Sequence, residues 1–142
     1  MTEDISASVQ NLTLAGAQKA LEAALQYCRE NDEKVDIAVC DRAGHLITFA
    51  RMDGAPLLSM SIAQDKAYTV AAFGPDTQEW WGMIKDEPPL LHGIVKTDRL
   101  QIFAGGVKIT VNGETVGAIG VSGSTAEGDQ RIAEAGAGAV SS

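Results

Sequence analysis

Residues 102–129 read IFAGGVKITVNGETVGAIGVSGSTAEGD, and the reading of this stretch decides the fold. Val107, Ile109 and Val111 alternate with Lys108, Thr110 and Asn112, the two-residue period of a half-buried strand. Asn112-Gly113 then predicts a hairpin, because a type I′ turn holds both central residues at positive φ, which Asn and Gly tolerate. On the return run Thr115–Ser122, Val116, Ala118 and Gly120 share one face, and Gly117, Ile119 and Val121 the other. Neither face carries a charge, which predicts a central strand covered on both sides. Gly117 and Gly120 leave room for another element to approach the backbone. Ser122-Gly123-Ser124-Thr125 ends the strand and opens a last helix, with Ser124 or Thr125 as its N-cap. Free N–H groups at such a start also suit an anion.

Upstream, Leu14, Ala17, Leu21, Ala24, Leu25 and Cys28 recur at helical spacing and predict a helix over about 14–30, with Thr13 as N-cap. Val35, Ile37 and Val39 alternate with Asp36, Ala38 and Cys40 in a strand, Asp41–Gly44 forms a turn, and residues 45–52 return. A second helix is expected over about 57–73, ended by Gly74-Pro75, and a short one over 77–85, opened by Asp76 with Glu79 in a capping-box pattern. On that short helix Trp80 and Trp81 point about 100° apart, so one ring should be the less buried. Residues 86–101 hold two prolines and no clean period and are expected to be one long loop. A short strand near Leu100–Ala104 and a final Ala- and Gly-rich helix over about 126–139 complete an α/β (α+β) order with an antiparallel sheet.

With 142 residues, one domain is expected: a flexible arm over 1–11 and a single domain over 12–142. Eleven basic and nineteen acidic residues leave a net charge of -8, which argues against nucleic acid or an anionic membrane as the partner. Cys28 and Cys40 belong to no CxxC or Cys/His cluster, so buried thiols in a reducing cytoplasm are expected, and no metal site. No apolar run approaches the roughly 18 residues of a membrane span. The N-terminus MTEDISAS has no apolar signal region.

Candidate chemistry rests on few groups. His92, in the expected loop near Lys96, Asp98 and Arg99, can act as acid, base or ligand, whereas His45 follows a turn and is expected to bond locally. Arg51 ends an otherwise apolar strand, and Lys66 sits among Ile62, Ala63, Ala67 and Val70, where it either snorkels to solvent or faces a pocket. Arg51, Lys66 and Lys108 facing one pocket would grip an anion. The run V-S-G-S is not a nucleophile elbow, and Gly105-Gly106 is too short for a phosphate loop.

Three separated motifs, in order, resemble the GlcG/HbpS-like family, which includes the C-terminal domain of PduO-type proteins. They are the hairpin around Asp41, Gly44, Arg51, Met52, Asp53, Gly54 and Ala55; the helix with Ala63, Lys66, Ala67, Thr69, Ala72 and Phe73; and the block Gly105, Gly106, Gly117, Ile119–Gly123, Glu127 and Asp129. The resemblance covers residues 12–140. It implies a profilin-like three-layer α/β/α sandwich with a five-stranded antiparallel sheet, and homo-oligomers (dimer, tetramer or octamer). It also implies a small-molecule ligand, with haem as candidate cofactor, in a pocket at or near a subunit interface. The expected ligand-binding residues are Arg51, Lys66, Phe103, Gly105, Gly106, Lys108, Ser122, Gly123 and Trp80. Some haem-binding relatives place an axial histidine in the N-terminal helix; this chain has none there, leaving His92, His45, Met52, Met60 and Met83. The family's proline after Gly-Gly-Val is Lys108 here. The alternative is a catabolic lyase, hydratase or isomerase acting on a small organic acid or carbonyl compound, with His92, Lys66 or Glu114 moving the proton.

Overall fold

The structure, a computed structural model, describes residues 4–142. Five α-helices and four strands follow in the order α1 (Leu14–Asn31), β1 (Asp36–Asp41), β2 (Leu46–Arg51), α2 (Ser59–Phe73), α3 (Trp80–Ile84), α4 (Pro88–Ile94), β3 (Gly106–Val111), β4 (Glu114–Ser122) and α5 (Ala126–Gly138). The sheet runs β2-β1-β4-β3, antiparallel throughout. Ile37, Val39, Ile109, Ile119 and Val121 bury themselves against α1 and α5. Ala38, Cys40 and Ala118 meet Ala63, Ala67 and Val70 of α2 on the opposite face. The result is three layers, with β1 and β4 central and uncharged on both faces from residues 37 to 40 and 116 to 121.

The described residues form four strands rather than the five expected. The run near Leu100–Ala104 finds its partners elsewhere: Arg99 turns the chain at φ 64°, and the Gln101 N–H donates to Thr69 Oγ1 (3.0 Å). Pairing with β4 begins only at Gly105, whose carbonyl accepts the Val121 N–H (2.9 Å). The expected loop over 86–101 contains α4. Its two prolines, Pro88 and Pro89, occupy the first helical positions, where a missing N–H costs nothing and the fixed φ favours the helix.

The hairpin forms as expected, with Asn112 and Gly113 at φ 51° and 82°. Val116, however, packs with the α1/α5 core and not beside Ala118. The register steps from Ile109↔Gly117 to Thr110↔Thr115, so Val116 is the extra residue of a bulge and changes face. Thr13 and Thr125 cap α1 and α5 through the Gly16 and Gly128 N–H groups. Trp80 is buried and Trp81 is 57% exposed. Among the described residues, no helix is long and apolar enough to cross a membrane.

Candidate functional site

Lys66 is fully buried on α2. Its Nζ donates to Val121 O (2.8 Å) and to Asp129 Oδ2 (3.1 Å), and lies 4.8 Å from the centroid of the Phe103 ring. The other Asp129 oxygen accepts the Ser124 N–H (2.9 Å), and the neighbouring Gln130 Oε1 accepts the Gly105 N–H (3.1 Å). Gly106 N–H donates to Thr77 Oγ1 (2.8 Å). Gly105, at φ 126°, has no space for a side chain: a Cβ there would lie 2.6 Å from both Lys66 Nζ and Val121 O. Lys66, Phe103, Gly105 and Gly106 therefore converge where α2, β4 and α5 meet, with Ser122 next along β4, whereas Gly123 packs against Lys34, Val35 and Pro56. The converging groups form a closed joint in which the chain's own groups occupy the ammonium and the helix start. Loss of hydration pushes the Lys66 amine down from the ordinary lysine value and the Asp129 carboxyl up, against the mutual attraction that opposes both shifts.

Beside this joint lies a buried carboxyl group that the sequence does not single out. Asp36 stands opposite both Arg51 and Ser122 in the ladders. It is fully buried, and neither carboxylate oxygen has a hydrogen-bond partner among the described residues. Burial pushes its carboxyl up, and the Arg51 guanidinium offsets this in part. Native Asp36 thus keeps its proton at pH values where the unfolded chain, titrating near 3.9, has lost it. Stability contributed at Asp36 is full in acid and falls as pH rises from about 4 through the raised native value. Asp36→Asn should remove this titration. In urea unfolding the variant is expected to gain on the parent as pH rises from about 4; a gap that does not change with pH would refute the assignment.

The remaining expected residues are dispersed. Lys108 lies on edge strand β3, its N–H donating to Asp76 Oδ1 (2.9 Å). Glu114 sits at the hairpin, 3.8 Å from Arg42, and His92 is exposed on α4. His45 Nδ1 lies 3.5 Å from Asp41 Oδ2. Trp80 stacks on Phe73 at the far end of α2, with ring centroids 4.8 Å apart. The acid–base trio His92, Lys66 and Glu114 is thus spread over α4, the buried joint and the hairpin.

A cleft of about 520 Å³ opens between the C-terminal end of α1 and the end of β2. Leu25, Cys28, Ala50 and Met52 supply apolar lining, and Arg29, Lys34 and Arg51 contribute cations. Asp32, Glu33 and Asp53 stand among them. Arg29 is already paired with Glu22 (2.9 Å); Lys34 and Arg51 have no ion pair among the described residues. The Cys28 thiol is pushed up to about 11, first by burial and then by the nearby Glu33, so it is a neutral apolar wall rather than a nucleophile. Ala50, Arg51, Met52 and Asp53 of this cleft come from β2 and its end; Leu25, Cys28, Arg29, Asp32, Glu33 and Lys34 come from α1 and the following turn, which touch β2 only through the tertiary fold.

A family model described as haem degrading protein HbpS-like matches residues 12–138. The chain is 34% identical over 131 residues to an uncharacterized 15.0 kDa protein from the dhaT-dhaS intergenic region of Citrobacter freundii, covering 91% of this chain and 92% of that one. The crystal structure of the Klebsiella pneumoniae protein ORFY superposes with a TM-score of 0.91 at 32% identity, covering 98% of this chain and 97% of that chain. The crystal structure of a PduOC:heme complex superposes at 0.83 with 26% identity, covering 92% and 95%.

Proposed function

The chain belongs to the HbpS-like family, and we propose on that footing that it binds a flat, amphiphilic anion of the haem class in the α1–β2 cleft. The cleft itself carries the reading. Its volume of about 520 Å³ falls in the roughly 300–1,000 Å³ range of small-molecule sites. Its apolar walls suit a macrocycle face, and two cations without ion pairs suit carboxylate substituents. The heme complex of the PduOC relative supports the ligand class.

The residues present fit such a group. Met52, half-buried beside the cleft, offers a thioether, one of the side chains that ligate haem iron. Lys34 and Arg51 would hold the carboxylates, and Leu25, Cys28 and Ala50 would exclude water from one face. Bound haem would supply iron-centred redox or ligand-sensing chemistry. The cleft is open on its outer side, and we place a second copy of the chain there, as a homo-oligomer.

Haemin titration tests this. A saturable, stoichiometric Soret change is expected. Met52→Ala should alter the band position, and the Lys34→Glu/Arg51→Glu double variant should weaken binding about tenfold or more, a loss of at least about 1.4 kcal/mol. Absorbance that grows without saturation, or the same band and affinity in all three proteins, would remove haem from this cleft.

A further inference from the structure

We propose a second binding site, in the pocket between α2, α3 and the α4–β3 segment, for a neutral single-ring aromatic molecule that carries a hydrogen-bond acceptor. The pocket holds about 170 Å³ and shares no lining residue with the α1–β2 cleft. Its walls include Tyr68, Phe73, Trp80, Ile94 and Leu100, with Asp98 among the lining residues.

Size sets the first limit. An apolar cavity of about 150 Å³ accommodates one benzene ring, whereas drug- and cofactor-sized ligands need roughly 300 Å³ or more. Haem is therefore excluded here. Shape sets the second. Phe73 and Trp80 meet at 4.8 Å with their planes tilted by 39°. The Arg99 guanidinium, 4.0 Å from the Tyr68 ring centroid and bonded to Asp65 (3.0 Å), holds the Tyr68 wall in place. A third flat ring extends such an aromatic cluster favourably.

The polar groups decide the ligand's charge and function. Thr69 Oγ1 is committed to the Asp65 and Arg99 carbonyls and to the Gln101 N–H. Arg99 is neutralised by Asp65, and Asp98 stands at the wall, so a carboxylate ligand would meet a net repulsive field. One donor remains. Trp80 is 2% exposed, and its Nε1–H has no acceptor among the described residues. A buried indole N–H ordinarily finds a partner, and leaving it without one is unfavourable. A hydroxyl or carbonyl oxygen on the bound ring would supply it.

The test uses phenol as the probe and benzoate as the anionic control, in ¹H–¹⁵N spectra of the full chain, with Trp81→Phe assigning the two indole resonances. Phenol should shift the Trp80 indole N–H saturably, and benzoate should bind at least tenfold more weakly. Filling the pocket by Ala72→Leu, or from the opposite wall by Ile94→Phe, should weaken phenol binding at least tenfold in whichever variant keeps the parent's spectrum. A shift linear in phenol, equal binding of benzoate, or undiminished binding in the filled variant would overturn the proposal. None of these outcomes depends on haem binding in the cleft.

Discussion

Replacing Asp129 with alanine is expected to destabilise the fold by about 3–5 kcal/mol, the usual cost of leaving one member of a buried ion pair without its partner. Lys66 has no exposure through which to reach water, and the Ser124 N–H loses its acceptor in the same step. The loss should shrink toward alkaline pH. Without Asp129 the attraction that holds the Lys66 proton is gone, so the variant's Lys66 releases it at lower pH than the parent's while the unfolded chain still holds its own, and the variant gains on the parent as pH rises. Lys66→Met combined with Asp129→Asn removes both charges and keeps a side-chain oxygen in place to accept the Ser124 N–H. This double variant should be more stable than Asp129→Ala alone, with a non-additivity of roughly 1–3 kcal/mol. Urea unfolding of Asp129→Ala, and of Lys66→Met, Asp129→Asn and their double variant as a cycle, at one protein concentration measures both quantities. A cost below about 1 kcal/mol for Asp129→Ala, or strict additivity, would mean that the pair is not the buried joint described above.

Gly120→Ala is the second large effect. A Cβ at this position would lie 2.0 Å from Ala63 O and 2.6 Å from Ala67 N, both backbone atoms of α2. A flexible side chain can move aside, but a helix backbone can give way only by lifting α2 from the sheet. The cost should exceed the roughly 1–3 kcal/mol of ordinary overpacking. Near-UV circular dichroism should weaken as well, since Trp80 follows α2 and stacks on its last residue, Phe73. Gly138→Ala is the control. Nothing lies within 4 Å of a Cβ there, and the substitution on α5 should stabilise by about 0.4–1 kcal/mol through the unfolded chain. If Gly120→Ala were as benign as Gly138→Ala, the close approach of α2 to β4 would be wrong.

Much of the architecture was legible because it is written in short-range patterns. The alternation of Val107, Ile109 and Val111, the Asn112-Gly113 turn and the uncharged faces of residues 116–121 identify a central antiparallel hairpin without reference to anything distant. Thr13 and Thr125 mark helix starts for equally local reasons. The errors fell where a local signal had two meanings. Pro88-Pro89 reads as a loop in isolation, but as a helix start when the following turn closes. Residues 100–104 resemble an edge strand until Thr69, some 30 positions away, takes the Gln101 N–H.

The candidate site was less legible. The sequence supplied Arg51, Lys66, Phe103, Gly105, Gly106, Lys108, Ser122, Gly123 and Trp80 as one expected site; tertiary packing brings Lys66, Phe103, Gly105 and Gly106 together and leaves Lys108, Gly123 and Trp80 elsewhere. It could not show that Asp129 and Val121 neutralise the Lys66 ammonium, because that contact spans 63 positions for Asp129 and 55 for Val121. Asp36 looked like one polar residue of an alternating strand; only its buried place in the sheet, opposite Arg51 and Ser122, makes it a carboxylate without a partner.

By itself, then, the sequence determined the antiparallel hairpins, the helix starts and the family, all of which follow from spacing and residue type along the chain. Tertiary structure alone decided which charges are spent inside the fold and which face a cleft. The free energy of a charge depends on its distance from water and from its counter-charge, and those distances are set by elements far apart in sequence.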